Sequence, residues 1–236
     1  MKKRENFYSL YKNLYVVLMT LLFACNCNTD NDNVVARVND FPISNAELKF
    51  WMLLQRAEVY NYFYEKYGVE DSDDFWEQKI NGEAPLKMLK KLALKKAVRC
   101  KIQQILALKK EVVQQIDFDS IMSKMEEENQ RRKEKIEKGE VVYGLSKYTK
   151  RTFFVGEFDK MLIKLKSELL KEELKPTEED LTLLVNDKDY SLKDNYGFYQ
   201  MRYVEKNYEK YIDSLVEVAD VVINNKNWNA IEADFY

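Results

Sequence analysis

The sequence predicts a mostly α-helical fold in which two short strands, one near each end of the folded part, pair in a small antiparallel ribbon. The chain contains only six glycines and three prolines among 236 residues, and strands joined by tight turns need more of both. Apolar residues recur at intervals of three and four along most of the chain, which is helical spacing. Residues 34–38 and 219–223 are the good strand candidates. Because a lone strand leaves its backbone groups unpaired, we expect them to pair with one another.

The first 24 residues have the character of a bacterial signal peptide. Basic residues precede an apolar run over residues 14–24, which is shorter than the roughly 20 residues that span a bilayer. The run ends in Leu22-Phe23-Ala24-Cys25, which resembles a lipobox. That resemblance implies a lipoprotein signal peptide over residues 1–24 and a lipid on Cys25. The alternative is an ordinary signal peptide or an uncleaved anchor in which Cys25 is incidental.

The remaining chain divides into a tether and one domain. Residues 25–33 are polar and lack an apolar period, so we expect a flexible tether. Residues 34–236 have the length of a single domain. Residues 1–24 carry four basic residues and one acidic residue, so the rest of the chain has a formal net charge of −5, against −2 for the whole. This mildly acidic balance argues against nucleic acid as a partner.

The residue types favour a protein that is not an enzyme. Histidine is absent, which excludes a Ser-His-Asp triad, a Cys-His pair and a His-containing zinc site. Cys100 is either a small buried hydrophobe or the partner of Cys27 in a disulfide. Two carboxylates can hydrolyse a glycoside, but the acidic residues of 71–74 and 126–128 lie in runs typical of solvated surface. We therefore expect no catalytic residue, no metal and no cofactor.

The first helix is delimited at both ends. Ser44 and Glu47 form the S-x-x-E pattern of a capping box, and Gly68 suits the position after the last helical residue. We expect this helix over residues 45–67. Its apolar arc is wider than packing on one neighbour requires, so it is either enclosed as core or lines a groove in part.

Further helices are predicted from the same spacing. They cover about residues 85–110, 118–138, 147–173, 177–185 and 203–218, with an irregular crossing loop over residues 186–202. The second helix has a basic side that we expect to be exposed, formed by Lys87, Lys90, Lys91, Lys95, Lys96, Arg99 and Lys101. Such a side is usually only solvated, and contact with anionic lipid is the alternative.

One stretch carries a resemblance to a known family. Residues 35–47, Val-Ala-Arg-Val-Asn-Asp-Phe-Pro-Ile-Ser-Asn-Ala-Glu, are similar to the opening of the chaperone domain in the SurA/PrsA/trigger-factor group of folding factors. Further similarities are Phe75-Trp76, Gly82-Glu83-Ala84-Pro85, Asn129 with Arg131-Arg132, Tyr143-Gly144 and Pro176 to Leu181. In that family a parvulin-type prolyl isomerase domain is commonly inserted before the returning segment. Here about twenty residues separate Leu181 from Tyr203, too few for a domain. The resemblance therefore implies a SurA-type helical chaperone domain without isomerase activity.

The resemblance also implies a function and a location. We expect a membrane-tethered holdase in the bacterial cell envelope, outside the cytoplasm, whose partners are unfolded or partly folded exported polypeptides. Aromatic and methionine side chains suit such weak, adaptable binding. The candidate client-binding residues are Trp51, Phe63, Tyr64, Phe75, Trp76 and Met161. The alternative function is a non-catalytic scaffold lipoprotein with one dedicated envelope partner.

Overall fold

The strands near the two ends of the folded part meet in one small sheet. The structure is a computed structural model that describes residues 33–70, 72, 74–185, 192 and 195–233. Strands β1 (Val34–Val38), β2 (Phe41–Ser44) and β3 (Val221–Ile223) form an antiparallel sheet in the order β2-β1-β3. Ala36 lies opposite Ile223 in the β1–β3 pair. The predicted pairing of the two end strands is therefore confirmed, and the fold is mostly helical as expected.

Strand β2 was not predicted from the sequence. Asn39 and Asp40 have positive φ angles of 47° and 70°, as in a two-residue type I′ hairpin turn. The turn thus occupies two residues, and the chain reverses at once to pair Phe41 with Val38. Pro42 lies in β2 at the edge of the sheet, where a residue without an N–H is tolerated.

Seven helices complete the part of the chain that the structure describes. They are α1 (Asn45–Tyr67), α2 (Pro85–Lys109), α3 (Phe118–Glu137), α4 (Lys150–Leu169), α5 (Glu178–Leu184), α6 (Tyr196–Glu217) and α7 (Asn225–Asn229). Helix α1 packs along α2 and, with the sheet, encloses the main core. Helices α2, α4 and α6 enclose a second core around Leu165, Tyr208 and Ile212. Helices α3 and α4 form a hairpin beside these cores.

Several helix boundaries agree with the predictions, because local capping sets them. The Ser44 hydroxyl accepts from the Glu47 amide at 3.1 Å, and Gly68 follows α1 with φ 65°. Thr177 and Asp180 form a capping box at the start of α5. The crossing loop predicted over residues 186–202 was wrong at its end, because α6 already begins at Tyr196. Helix α7 was not predicted.

The expected exposure of the basic side of α2 was wrong at two positions. Lys90 and Lys101 are buried. The Lys90 ammonium donates to the Trp228 carbonyl at 3.0 Å, and the Lys101 ammonium contacts the Glu47 carboxylate. Both lysines lie on the face of α2 that was predicted to be polar. In each case a partner distant in sequence holds the ammonium group in the interior.

The cysteines fall into two groups. Cys25 and Cys27 lie outside the described residues, as does the predicted signal peptide. Cys100 is buried, with a free thiol, in the interior of α2. Burial raises the pKa of the Cys100 thiol well above 9.0, so the group stays protonated. None of the helices within the described ranges is both long enough and apolar enough to cross a membrane.

Candidate functional site

A groove opens between the C-terminal half of α2, the connection that follows it, the start of α3 and the middle of α4. Its volume is about 410 Å³, within the range of ligand sites. The apolar lining residues are Val112, Val113, Ile116, Ile121, Phe153, Phe154, Phe158 and Met161, and the polar ones include Gln104, Glu111, Lys124 and Glu157. We call this site the Gln104 groove.

Gln104 is the polar residue buried in the wall of this groove. Its side chain is on α2 and only 3% of the residue is exposed, yet its Oε1 atom has no hydrogen-bond partner among the residues that the structure describes. The adjacent Gln103 is fully engaged: its Oε1 accepts from the Tyr208 hydroxyl at 2.8 Å and its Nε2 donates to the Arg99 carbonyl at 3.2 Å. A buried carbonyl without a partner is unfavourable in free energy. Gln104 thus contributes, beside the groove, a buried acceptor that no described residue satisfies.

The connection after α2 forms one edge of the Gln104 groove. Glu111 has φ 57°, an unusual left-handed conformation for a residue other than glycine. The Val112 amide then donates back to the Ala107 carbonyl at 2.9 Å. This tight reversal places Val112 and Val113 beside the groove instead of continuing the helix.

A buried ion pair fixes the far end of that connection. The Lys101 Nζ lies 2.9 Å from the Glu47 Oε2, and both side chains are 2% exposed. Lys101 Nζ also contacts the Ile116 carbonyl at 3.4 Å, and Ile116 lines the groove. Burial raises the pKa of Glu47, and the Lys101 ammonium opposes that rise. The capping box predicted from Ser44 and Glu47 forms only in part, because the Glu47 carboxylate contacts Lys101 and does not accept from the Ser44 amide.

Packed aromatic rings support the wall formed by α4. The Phe154 ring contacts Phe50 with a centroid distance of 5.0 Å and meets Trp51 edge-on at 5.7 Å. Phe118 and Phe158 also pack on Phe154, with centroid distances of 5.9 and 6.0 Å. Such offset and edge-on contacts hold the rings in defined positions. The wall of the groove is therefore preformed.

The six predicted client-binding residues do not form one surface. Met161 lines the Gln104 groove, and Trp51 supports its wall through Phe154. Phe63, Phe75 and Trp76 are buried in the main core, where Phe75 meets Phe63 and Trp76 edge-on. Tyr64 is exposed at the other end of α1, stacked on Tyr60. Phe63 and Phe75 have no exposed surface and Trp76 is only 8% exposed, so three of the six are core residues, as the core alternative for the wide apolar arc of α1 anticipates for Phe63.

A second apolar surface lies at the end of the α3–α4 hairpin. Its exposed side chains are Ile136, Val141, Tyr143 and Leu145, and Tyr143 is 85% exposed. We call these four residues the arm tip. The buried Arg132 guanidinium donates to the Tyr143 and Leu145 carbonyls and lies 4.7 Å from the centre of the Tyr148 ring. The backbone of the arm tip is therefore held in one conformation while its side chains face solvent.

Asn129 completes the support of the arm tip. Its side-chain amide donates to the Tyr148 carbonyl at 3.0 Å and accepts from the Tyr148 N–H at 2.7 Å. Of the residues quoted for the family resemblance, Asn129 and Arg132 thus hold the loop that contains Tyr143 and Gly144. The sequence identifies these residues but does not reveal their contacts, because Asn129 and Arg132 are more than ten positions away from the loop that they hold.

Among the acidic residues of α3, Glu128 forms ion pairs with Arg131 and Arg132. Hydrogen bonds from Arg131 and Arg132 lower the pKa of the Glu128 carboxyl to about 2, against a smaller opposing effect of burial. In the described ranges of the chain there is no group of three or more acidic or cysteine side chains that could hold a metal ion.

The chain matches no protein-family model, no curated protein and no solved structure.

Proposed function

We propose that this protein is a lipoprotein, anchored through Cys25 on the outer side of a bacterial membrane, that acts as a holdase for non-native exported polypeptides and lacks prolyl isomerase activity. The Gln104 groove is the observation that carries the proposal. An apolar site of about 410 Å³ beside an unsatisfied amide oxygen suits a ligand that is mostly apolar and carries a backbone N–H. The similarity of residues 35–47 to the chaperone domain of the SurA/PrsA/trigger-factor group supports the same function.

An extended segment of a client fits the chemistry of the groove. A large apolar side chain of the client enters between Phe158, Met161 and Val113, where it is removed from water. The backbone N–H next to it donates to the Gln104 Oε1 once this side chain turns into the groove, which satisfies an acceptor that is buried and unpaired in the free protein. Because every peptide has such an N–H, this interaction selects for polypeptide without selecting for sequence. The flexible Met161 adapts to side chains of different shape.

The proposal is tested by suppression of aggregation. The full chain, at several-fold molar excess over a chemically denatured client, is expected to reduce light scattering. Phe158→Ser, in the groove, is expected to weaken this protection, whereas Ile163→Ser, exposed on the same helix outside the groove, is expected to leave it unchanged. Circular dichroism verifies that both variants are folded. Absence of protection by the folded chain contradicts the holdase function.

The arm tip favours a second candidate function, a scaffold with one dedicated envelope partner. A fixed apolar surface such as Tyr143 and Val141 is typical of a site for one folded partner. Cross-linking in cells distinguishes the two functions. Many heterogeneous cross-linked proteins, reduced by Phe158→Ser, support the holdase. One stoichiometric product, lost in Tyr143→Ala and kept in Phe158→Ser, supports the scaffold.

A further inference from the structure

Two further grooves lie side by side on the opposite part of α2. The first, of about 730 Å³, lies between α1 and the N-terminal half of α2, with Val59, Met88 and Leu92 in its apolar lining. The second, of about 380 Å³, lies between α2, β3 and α7, and Leu94, Val98, Ile223 and Trp228 contribute its apolar lining. Lys91 and Lys95 line both grooves. We call the two grooves and their lysines the basic face.

The positive charge of the basic face is not compensated by ion pairs with the residues that the structure describes. Its four lysines, Lys79, Lys87, Lys91 and Lys95, are exposed, and none forms a hydrogen bond or ion pair with a residue that the structure describes. The carboxylates in the lining are Glu58 and Glu83. Glu83 is already engaged, since Lys66 lies 2.7 Å from it and the Tyr67 hydroxyl donates to it at 2.6 Å. A net positive charge thus surrounds apolar surface.

The spacing of these lysines along α2 destabilises the helix, because it places like charges next to one another. Lys87, Lys91 and Lys95 follow one another at intervals of four residues on α2, where like charges are neighbours and repel. Other lysines of this protein lie beside carboxylates at comparable spacing, for example Lys160 and Glu157. The repulsion along α2 is relieved by an anionic partner.

The start of the domain lies next to the basic face. The Asn227 side chain of α7 donates to the Val34 carbonyl at 2.8 Å, and the Asn224 N–H donates to the Val35 carbonyl at 2.9 Å. Trp228, in the same short helix, lines the second groove. Cys25 precedes Asn33 by eight positions, a distance that an extended chain covers in at most about 29 Å. A lipid on Cys25 therefore keeps the start of β1, and the basic face beside it, close to the bilayer.

We propose that the basic face lies on the surface of an anionic phospholipid bilayer. The lysine ammonium groups contact the headgroup phosphates, and the Trp228 ring occupies the interface between headgroups and acyl chains, the depth that tryptophan prefers. The apolar linings of the two grooves receive the upper part of the acyl chains. The Gln104 groove, on the far side of the lysines of α2, remains open to a client. This inference does not depend on the holdase activity, but it rests on the lipid anchor at Cys25 that is proposed above.

The experiment measures contact of Trp228 with lipid. The full chain, purified as cells produce it, is reconstituted into vesicles of phosphatidylcholine with or without phosphatidylglycerol, with bromine on the acyl chains as a quencher. The chain has three tryptophans, so the signal of Trp228 is taken as the difference from Trp228→Phe. We expect the Trp228 fluorescence to be quenched in the anionic vesicles. We expect it to be restored at 1 M salt, where electrostatic attraction extends over only about 3 Å before it is screened. Equal signals in neutral and anionic vesicles overturn the proposal.

A matched set of lysine variants tests the role of the charge. Lys87→Gln/Lys91→Gln/Lys95→Gln is expected to lower the quenching in anionic vesicles to its level in neutral ones. The control, Lys164→Gln/Lys206→Gln/Lys210→Gln, removes the same charge from exposed lysines that line neither groove, and we expect it to keep the quenching. Equal loss in both variants assigns the effect to net charge and contradicts the proposal. Cross-linking of Lys91 to an acidic protein in cells, without quenching in anionic vesicles, also contradicts it.

Discussion

Gln103 and Gln104 are adjacent on α2, and their side chains have opposite surroundings. Gln103 accepts from the Tyr208 hydroxyl, whereas the Oε1 of Gln104 is buried without a partner. We expect Gln104→Leu to raise the free energy of unfolding by up to about 1 kcal/mol, because an unsatisfied polar group is replaced by an apolar one of similar size. We expect Gln103→Leu to lower it by about 1–3 kcal/mol, because Tyr208 then loses its acceptor. Urea denaturation measures both.

The same pair separates structure from binding. If the Gln104 amide binds a client backbone, Gln104→Leu weakens client binding by about fivefold to tenfold, the value of one hydrogen bond, while the protein becomes no less stable. Fluorescence anisotropy of a labelled unfolded peptide measures this affinity. A Gln104→Leu variant that is both destabilised and unchanged in affinity shows that the amide has a structural role.

Glu47 and Lys101 form a buried pair in which each charge depends on the other. Glu47→Leu leaves the Lys101 ammonium buried without its partner, and we expect a loss of about 3–5 kcal/mol in the free energy of unfolding. Lys101→Met has a similar cost, because the Glu47 carboxylate is then unpaired. The double variant is expected to cost much less than the sum of the two, since no charge remains buried. An additive double-mutant cycle, measured by urea denaturation, contradicts this interpretation.

At the scale of the element, the helix ends set by local chemistry could be predicted and those set by distant contacts could not. Helix α1 begins and ends as predicted because Ser44 and Gly68 are capping residues whose geometry depends on their neighbours in sequence. The start of α6 was missed because Tyr196 to Arg202 has no apolar period. Its buried residue there, Tyr199, packs on Leu181 and Leu184 of α5, and that contact is invisible in one sequence.

The candidate site was predictable only in part, for the same reason. Met161 was identified because its helical stripe is local, and it does line the Gln104 groove. Phe63 and Phe75 have the same apolar character but are wholly buried. Their burial could not be predicted, because an apolar pattern does not show which side chains are covered by other elements of the fold. Gln104 could not be distinguished from Gln103, because only the position of Tyr208 separates them.

The arm formed by α3 and α4 is expected to loosen in acid. Its Glu128 has a pKa of about 2 in the folded protein, against an ordinary value of 4.5, because Arg131 and Arg132 favour the ionised form. Since the folded pKa is the lower one, the stabilisation is complete above about pH 4.5 and is lost as the pH falls towards 2. Hydrogen exchange of residues 143–148 is therefore expected to accelerate over that interval, relative to the exchange of α1.

Two variants give this pH dependence its control. Glu128→Gln is expected to speed exchange of the loop at neutral pH and to remove most of its change between pH 4.5 and 2, because the ionised partner of Arg132 is absent. Glu127→Gln, at an exposed neighbouring position, is expected to behave as the unaltered chain. Identical pH profiles for the two variants contradict the assignment to Glu128.

At the scale of the whole molecule, the pairing of β1 with β3 ties the two ends of the folded part together. β1 is the central strand, and its Val35 and Val38 side chains are fully buried in the main core. The residues after β3 return to the same place, since Trp228 and Ile231 also pack against that core. A three-residue strand therefore fixes the last part of the domain, including the wall of the second groove of the basic face.

The hydrogen-bond pattern of this short strand makes the closure testable at a single position. Asn224 N–H donates to the Val35 carbonyl and Asn39 N–H to the Asp220 carbonyl, so the alternation of an antiparallel ladder places Val222 in the bonded pair with Arg37. The N–H of Ile223 then faces the open edge. We expect Val222→Pro to remove a ladder bond and lower the free energy of unfolding by about 1–3 kcal/mol, with faster exchange of β1 and α7. Ile223→Pro removes an N–H that bonds to no strand, so we expect a smaller effect at an edge position. Urea denaturation and hydrogen exchange compare the two, and equal stabilities with an intact β1 in both variants show that the core closes without β3.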